Sequence, residues 1–181
     1  MREIIDIENK TIYNSIIVAP PGKGKTTILR DIIRRLSDGI EEIGFKGKTC
    51  GVVDERGEIA AMYKGIPQND VGIRTDVIEN VDKNRGIHML IRTMAPEIIA
   101  CDEIGNSQDV QAINMAVCSG VKGIFTAHGA SFDDIYMNPV LKELVNSHIF
   151  EIIMFLNPKQ RGDILEVYKF NKKTNQYFSH R

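Results

Sequence analysis

The sequence predicts an α/β domain, a mostly parallel sheet with helices on both faces and an antiparallel hairpin at one edge. Three observations carry this. Short Val- and Ile-rich runs recur at residues 16–19, 50–53, 97–101, 123–127 and 150–155, apolar throughout as strands buried on both faces are. Segments of helical period lie between them, and strands alternating with helices give a parallel sheet that gathers function at the carboxyl ends of its strands. The first run breaks into Pro20-Pro21-Gly22-Lys23-Gly24-Lys25-Thr26-Thr27 and resumes at once as a helix. Such a turn leaves a row of backbone N–H groups that an anion can take up.

Taken in order, residues 4–7 and 11–13 flank Asn9-Lys10 and predict a small opening hairpin. Residues 26–36 place Ile28, Leu29, Ile32, Ile33 and Leu36 on one helical face, and Gly39 stops the helix. Residues 57–84, rich in Gly, Pro, Asn and Asp, read as a loop folded over the sheet edge. Helical period returns at 85–94, at 107–119 before Gly120, and at 132–147, where Pro139 interrupts it. Residues 150–155 and 164–170, joined through Asn157-Pro158 and Arg161-Gly162, predict the antiparallel edge hairpin. The polar stretch 171–181 is expected to fray. The organisation expected is a short extension (1–14), one core domain (15–170) and a tail (171–181).

Composition narrows the function classes. Charged residues are 26 % of 181 and the net charge is −1, so no global basic field points to nucleic acid or an anionic membrane. Cys50, Cys101 and Cys118 are odd in number, far apart and set in apolar runs, which favours buried reduced thiols in a cytosolic compartment over disulfides or zinc. No run approaches the roughly 18 apolar residues of a membrane span, so contact with a membrane is expected through a partner and not by insertion.

The chemistry concentrates in four places. Gly24, Lys25 and Thr26 fill the last three positions of the phosphate loop G-x-x-x-x-G-K-[ST], with Ala19 at the first. Pro21, Gly22, Lys23 and Gly24 would wrap the phosphates, Lys25 pair with the β and γ groups, Thr26 hold Mg²⁺ and Thr27 donate near the α phosphate. The run ending Cys101-Asp102-Glu103 supplies the acid such a loop needs, Asp102 for the metal shell and Glu103 for the attacking water. The run 50–53 ends in Asp54-Glu55-Arg56-Gly57-Glu58, and the run 123–127 in His128, a polar group placed to sense the γ phosphate. Arg56, beside the acid cluster, Arg74 and Arg92 could each neutralise phosphate or lie on a helix surface; Arg92 comes a few residues before the Asp102 strand, too far down to reach its own phosphate easily, and suits a neighbouring subunit's nucleotide.

Together, "APPGKGKTTILRDIIRRLS", "GVVDERGEIAA", "GIRTDV", "MLIRTMAPEIIACDEIG" and "SGVKGIFTAHG" resemble the stage III sporulation protein AA family, over residues 15–170. That family is similar to the hexameric ATPases of type II and type IV secretion. The resemblance implies a RecA-like core that binds ATP and Mg²⁺ and hydrolyses ATP as a homo-oligomer. Its implied place is the cytoplasmic face of the membrane complex joining mother cell and forespore, with that channel's proteins as partners. It also implies that Asp54, Glu55 and Glu58 match the secretion ATPases' intermediate acidic box and His128 their histidine box. Ala19, Val121 and Asn106 depart from the usual residues, and about fifteen residues precede the first strand where the family carries an N-terminal domain. Two rival functions share the motifs. A nucleic-acid-dependent ATPase is disfavoured by the neutral charge and the lack of aromatics among basic residues, and a non-hydrolysing scaffold by the presence of Glu103.

Overall fold

The computed structural model describes residues 2–180; Met1 and Arg181, at the ends of the expected extension and tail, lie outside the described residues. The chain begins with β1 (Ile5–Asp6), β2 (Thr11–Ile12), β3 (Ser15–Val18), α1 (Lys25–Asp38), β4 (Gly39–Ile40), β5 (Phe45–Lys46) and β6 (Cys50–Asp54). It continues through β7 (Met62–Tyr63), β8 (Ile66–Pro67), β9 (Thr75–Glu79), α2 (Lys83–Thr93), β10 (Ile98–Cys101), α3 (Ser107–Cys118) and β11 (Lys122–Ala127). The order is completed by α4 (Phe132–Met137), α5 (Pro139–Asn146), β12 (Ile152–Leu156), β13 (Ile164–Asn171) and β14 (Gln176–Ser179).

Eight strands form one sheet in the order β14-β13-β12-β3-β11-β10-β6-β9. The six from β12 to β9 are parallel, and β13 and β14 are added antiparallel. Alternate residues of each parallel strand serve opposite faces, as the two-residue strand period requires. Ile16, Val18, Ile99, Cys101 and Phe125 pack under α2, α3, α4 and α5. Ile17, Ala19, Ile98, Ala100 and Ile124 pack under α1, which contributes Leu29, Ile32, Ile33 and Leu36. Local chemistry sets the helix ends. Asn106 and Asp109 close a reciprocal cap on α3. Asn138 accepts from Val140 N and Leu141 N with Pro139 opening α5, which is why the helical period of 132–147 divides there.

Three expectations are corrected. The segment 57–84 is not loop throughout. Its β9 pairs in parallel with β6 from Cys50↔Thr75 to Asp54↔Glu79 and extends the sheet by one strand. An edge strand is covered on fewer sides, so Thr75-Asp76-Val77-Ile78-Glu79 carries too few apolar residues to stand out. The tail does not fray within the described residues. Residues 171–175 turn the chain back and β14 pairs with β13, while the Tyr177 hydroxyl donates to Phe150 O at 2.6 Å. The sheet thus continues past residue 170, and at the other end Ile4, Ile5 and Ile12 of the opening hairpin are buried in the core. Finally, Cys50 and Cys101 are buried but Cys118 is exposed at the end of α3.

Candidate active site

The phosphate loop forms where β3 meets α1. Ala19 still donates its N–H to Ala127 O, 3.2 Å away, and is not among the residues of positive φ, so a methyl group in place of the usual first glycine costs the backbone nothing. Gly22 (φ 73°) and Gly24 (φ 91°) are where the chain turns left-handed, a conformation an L side chain resists. No side chain caps the start of α1, which leaves its first N–H groups facing the loop. Lys25 is 5 % exposed. Its Nζ donates to Ala19 O (3.1 Å), Pro20 O (3.4 Å) and His128 Nδ1 (3.2 Å), and lies 3.8 Å from Glu103 Oε1. Burial pushes its pKa below the ordinary 10.5, against the upward pull of Glu103 and Asp102.

The acidic pair arrives from β10, separated from β3 only by β11. The Thr26 hydroxyl donates to Asp102 Oδ2 at 2.7 Å, while the Thr126 hydroxyl donates to Asp102 Oδ1 and accepts from Glu103 N (2.7 Å). Glu103 is held at φ 40°, a left-handed conformation that costs a non-glycine residue of order 1 kcal/mol or more and clusters at functional sites. Its carboxylate meets His128 Nε2 at 2.8 Å and Arg56 NH1 at 3.1 Å. Because an ammonium can only donate, Lys25 makes His128 Nδ1 an acceptor; the imidazole proton then sits on Nε2 and is donated to Glu103. Lys25, His128 and Glu103 thereby form one connected network beside the loop.

The residues of the acidic box separate by environment. Asp54 is 2 % exposed and its carboxylate accepts from the N–H groups of Glu58 (2.9 Å), Ile59 (3.0 Å) and Ala60 (2.8 Å). It staples the loop after β6, and it lines a small cavity with Glu58, Asp102 and Glu103. Glu55 pairs with Lys83 at the start of α2, and Lys83 is partly desolvated yet holds its proton more tightly than usual because of Glu55. Glu58 reaches the phosphate-loop cavity, about 330 Å³, which it shares with Gly22, Gly24, Lys25, Thr26 and Glu103. Arg74 lies elsewhere: its NH1 donates to Ser37 O at the far end of α1. Arg92 is exposed in the last turn of α2, before the amino end of β10. Arg56, a candidate phosphate-neutralising group in the sequence, pairs instead with Glu103, and sequence reasoning missed the roles of Thr126, Lys83 and Arg161, which also lines the cavity. Thr126 was hidden inside an apolar strand and Arg161 inside a turn, and only sheet order brings either to the loop.

The donor set suits a nucleotide with Mg²⁺. Among the described residues no three His, Cys, Asp or Glu side chains form a metal cluster of their own. A hydroxyl and a carboxylate side by side are what an octahedral ion needs when water and phosphate supply its remaining ligands.

A glycine-turned phosphate loop on a parallel strand, with a Thr-bound aspartate and a strained glutamate two strands away, defines a phosphate-loop nucleotide-binding domain of RecA-like fold. Solved structures share this fold. The Legionella pneumophila ATPase DotB aligns with 93 % of this chain and 49 % of its own at a TM-score of 0.63 and 14 % identity. The VirB11 ATPase of the Brucella suis type IV secretion system, in complex with sulphate, aligns with 90 % of this chain and 49 % of its own at 0.57 and 17 %. The model of the family "Sporulation stage III, protein AA" matches residues 1–175, and the chain belongs to that family. The stage III sporulation protein AA of Bacillus subtilis (strain 168) is 41 % identical over 156 residues, 86 % of this chain and 50 % of the relative. The chain thus spans about half the length of that relative.

Proposed function

We propose that this chain is an ATP-hydrolysing motor domain, acting as a homo-oligomer at the cytoplasmic face of a sporulation-type membrane complex. One observation carries the catalytic part. The Thr26–Asp102 hydrogen bond of 2.7 Å and the Lys25–His128–Glu103 network converge on the phosphate loop, which puts phosphate-binding, metal-binding and proton-accepting groups in one cavity. Lys25 and the loop N–H groups would hold the β and γ phosphates, and Thr26 with Asp102 would hold Mg²⁺, which would supply charge that offsets that of the phosphates. Glu103 takes a proton from water as its oxygen bonds to the γ phosphorus; the bond to the β-bridging oxygen breaks, leaving ADP and phosphate. His128, bonded to both Lys25 and Glu103, keeps the base aimed and registers the state of the phosphate site. Family membership and the ATPases that share the fold support this reading. Among the described residues no helix is long and apolar enough to cross a membrane.

The test is turnover of ATP by the chain alone, with single-stranded and duplex DNA, and with RNA. Activity is expected without nucleic acid. Glu103→Gln keeps the shape and removes the proton acceptor, so it should bind ATP as the parent does while kcat falls by about 10²-fold or more. Normal turnover in that variant would remove Glu103 as the base, and failure of the parent to bind ATP would remove the whole reading.

A further inference from the structure

Two arginines, Arg30 and Arg161, line the phosphate-loop cavity, and Arg56 and Arg74 lie near the two ends of α1; all but Arg161 are already engaged. Arg56 holds Glu103. Arg30 donates to Ile59 O and Glu58 O, and Arg74 to Ser37 O. Arg161 differs. It lies in the turn between β12 and β13, lines the phosphate-loop cavity, and makes no hydrogen bond or ion pair among the described residues. Its Cγ stands 3.4 Å from where a Cβ on Gly24 would be, so the side chain crosses directly over the loop's glycine.

The turn that carries it is built and anchored. Asn157 N donates to Asp163 O (2.8 Å) and Asn157 Nδ2 to Asp163 Oδ2 (3.1 Å), closing the base of the turn. Lys159 N donates to Asn157 Oδ1 (2.9 Å). Gly162, at φ 77°, donates its N–H to Lys23 O at 3.1 Å and so ties the turn to the phosphate loop itself. Because the turn is already anchored, only the side chain has to be ordered when the guanidinium meets a phosphate, and its planar fork suits two oxygens at once.

Position says which phosphates. The γ end of the cavity is defined by Lys25 Nζ, Thr26, Asp102 and Glu103. Arg161 enters the same cavity over Gly24 and makes no hydrogen bond or ion pair to Asp102 or Glu103 among the described residues, and its neighbour Gly162 joins Thr27, Ile28 and Ile164 in walling an adjoining, largely apolar cavity of about 500 Å³. Resting on the nucleotide-binding reading above, we propose that Arg161 is a clamp, supplied by the same subunit, for the α and β phosphates of the bound nucleoside di- or triphosphate. Its contact is made equally with ADP and ATP, so it contributes uniform binding and does not serve as the cation of the transition state.

Titrate ADP and ATP, each with Mg²⁺, into the 181-residue chain, Arg161→Ala and Arg161→Lys, and measure turnover at saturating ATP. A lost charge-assisted contact should weaken ADP and ATP alike by about tenfold to a hundredfold in Arg161→Ala. KM should rise while kcat stays within about twofold, and Arg161→Lys should recover part of the affinity. Arg161 is exposed, and unliganded thermal unfolding should be unchanged in both variants. Unchanged ADP affinity in Arg161→Ala overturns the proposal, as does a loss confined to ATP or to kcat, which would put the cation at the γ phosphate. An equal loss in the lysine variant also overturns it, because the effect would then belong to packing of the turn. If the parent chain binds neither nucleotide, the nucleotide-binding reading itself fails, an outcome distinct from all of these.

Discussion

Lys25 illustrates at the scale of one residue how function opposes stability. An ammonium 5 % exposed is held in place by two carbonyls and a histidine, and desolvation lowers its pKa from 10.5. The unfolded chain therefore binds that proton more tightly than the folded one. The penalty is fully present below the folded pKa and vanishes as pH rises through 10.5, so this group makes nucleotide-free stability increase with pH across that interval. Lys25→Met keeps the stem and deletes the charge. The variant should melt at or above the parent's temperature at neutral pH, should lose the alkaline rise, and should bind ATP at least tenfold more weakly because a charged partner of the β and γ phosphates is gone. Thermal unfolding across pH, paired with nucleotide titration, checks all three. A clear drop in melting temperature would mean that Glu103 and Asp102 depend on the ammonium more than the ammonium suffers from burial. The motif G-K-T made Lys25 legible from the sequence. The His128–Glu103 contact was not, because it joins the ends of two strands 25 residues apart in the chain, and only side-by-side pairing of β10 with β11 makes them neighbours.

Among elements, the loop after β6 shows how an apparently catalytic cluster divides its labour. Asp54 reads as one acid among three, yet four N–H···O contacts from residues 58 to 60 consume both its oxygens. Those contacts seat Ile59 and Ala60 in the core and carry Glu58 to the cavity. In Asp54→Asn one oxygen becomes a donor facing backbone donors, so a loss of about 1–3 kcal/mol is expected. Denaturant unfolding should report it, together with faster hydrogen exchange at Ile59 and Ala60. Turnover should fall only as far as Glu58 is displaced, whereas a direct catalytic role would lower kcat with stability intact. The same dependence on distant partners explains β9 and β14. Neither carries enough apolar sequence to declare itself as a strand, and each is held by the neighbour that receives it, β6 or β13. The hairpin turn 157–163 was legible as a turn, but its seat on the phosphate loop follows from β12 lying beside β3.

For the whole molecule, the sheet sorts the arginines by distance. α1 separates Lys25 from Ser37 by twelve residues, roughly 18 Å along a helix axis, so Arg74, bonded to Ser37 O, cannot reach the phosphate loop of its own chain. Arg92, at the end of α2 that leads into β10, is also at the amino edge of the sheet. If either one completes a site, it is a neighbour's, and a cation supplied in trans is worth about 10³–10⁵ in rate. Specific activity should then rise with protein concentration, and an excess of an Arg92→Ala, Arg74→Ala double mutant that still binds ATP should inhibit the parent by occupying positions in the oligomer. Turnover per chain that stays flat from dilute to concentrated solution, at a rate typical of an assembled motor, would show the site to be complete in one subunit.

What the sequence by itself determined is local or periodic: the phosphate loop, the Asp102-Glu103 pair, the alternation of buried strands with amphipathic helices, and the break at Pro139. Each depends on neighbours within about ten residues, where backbone geometry and hydrophobic period leave few alternatives. What only the tertiary structure decided is which strand ends stand together. Sheet order joined His128 to Lys25 and Glu103, removed Arg74 from its own phosphate site, and laid Arg161 across the loop. Those contacts span 25 to well over 100 residues of chain, and their physical cause is the pairing of buried strands through backbone hydrogen bonds, which no local pattern of side chains encodes.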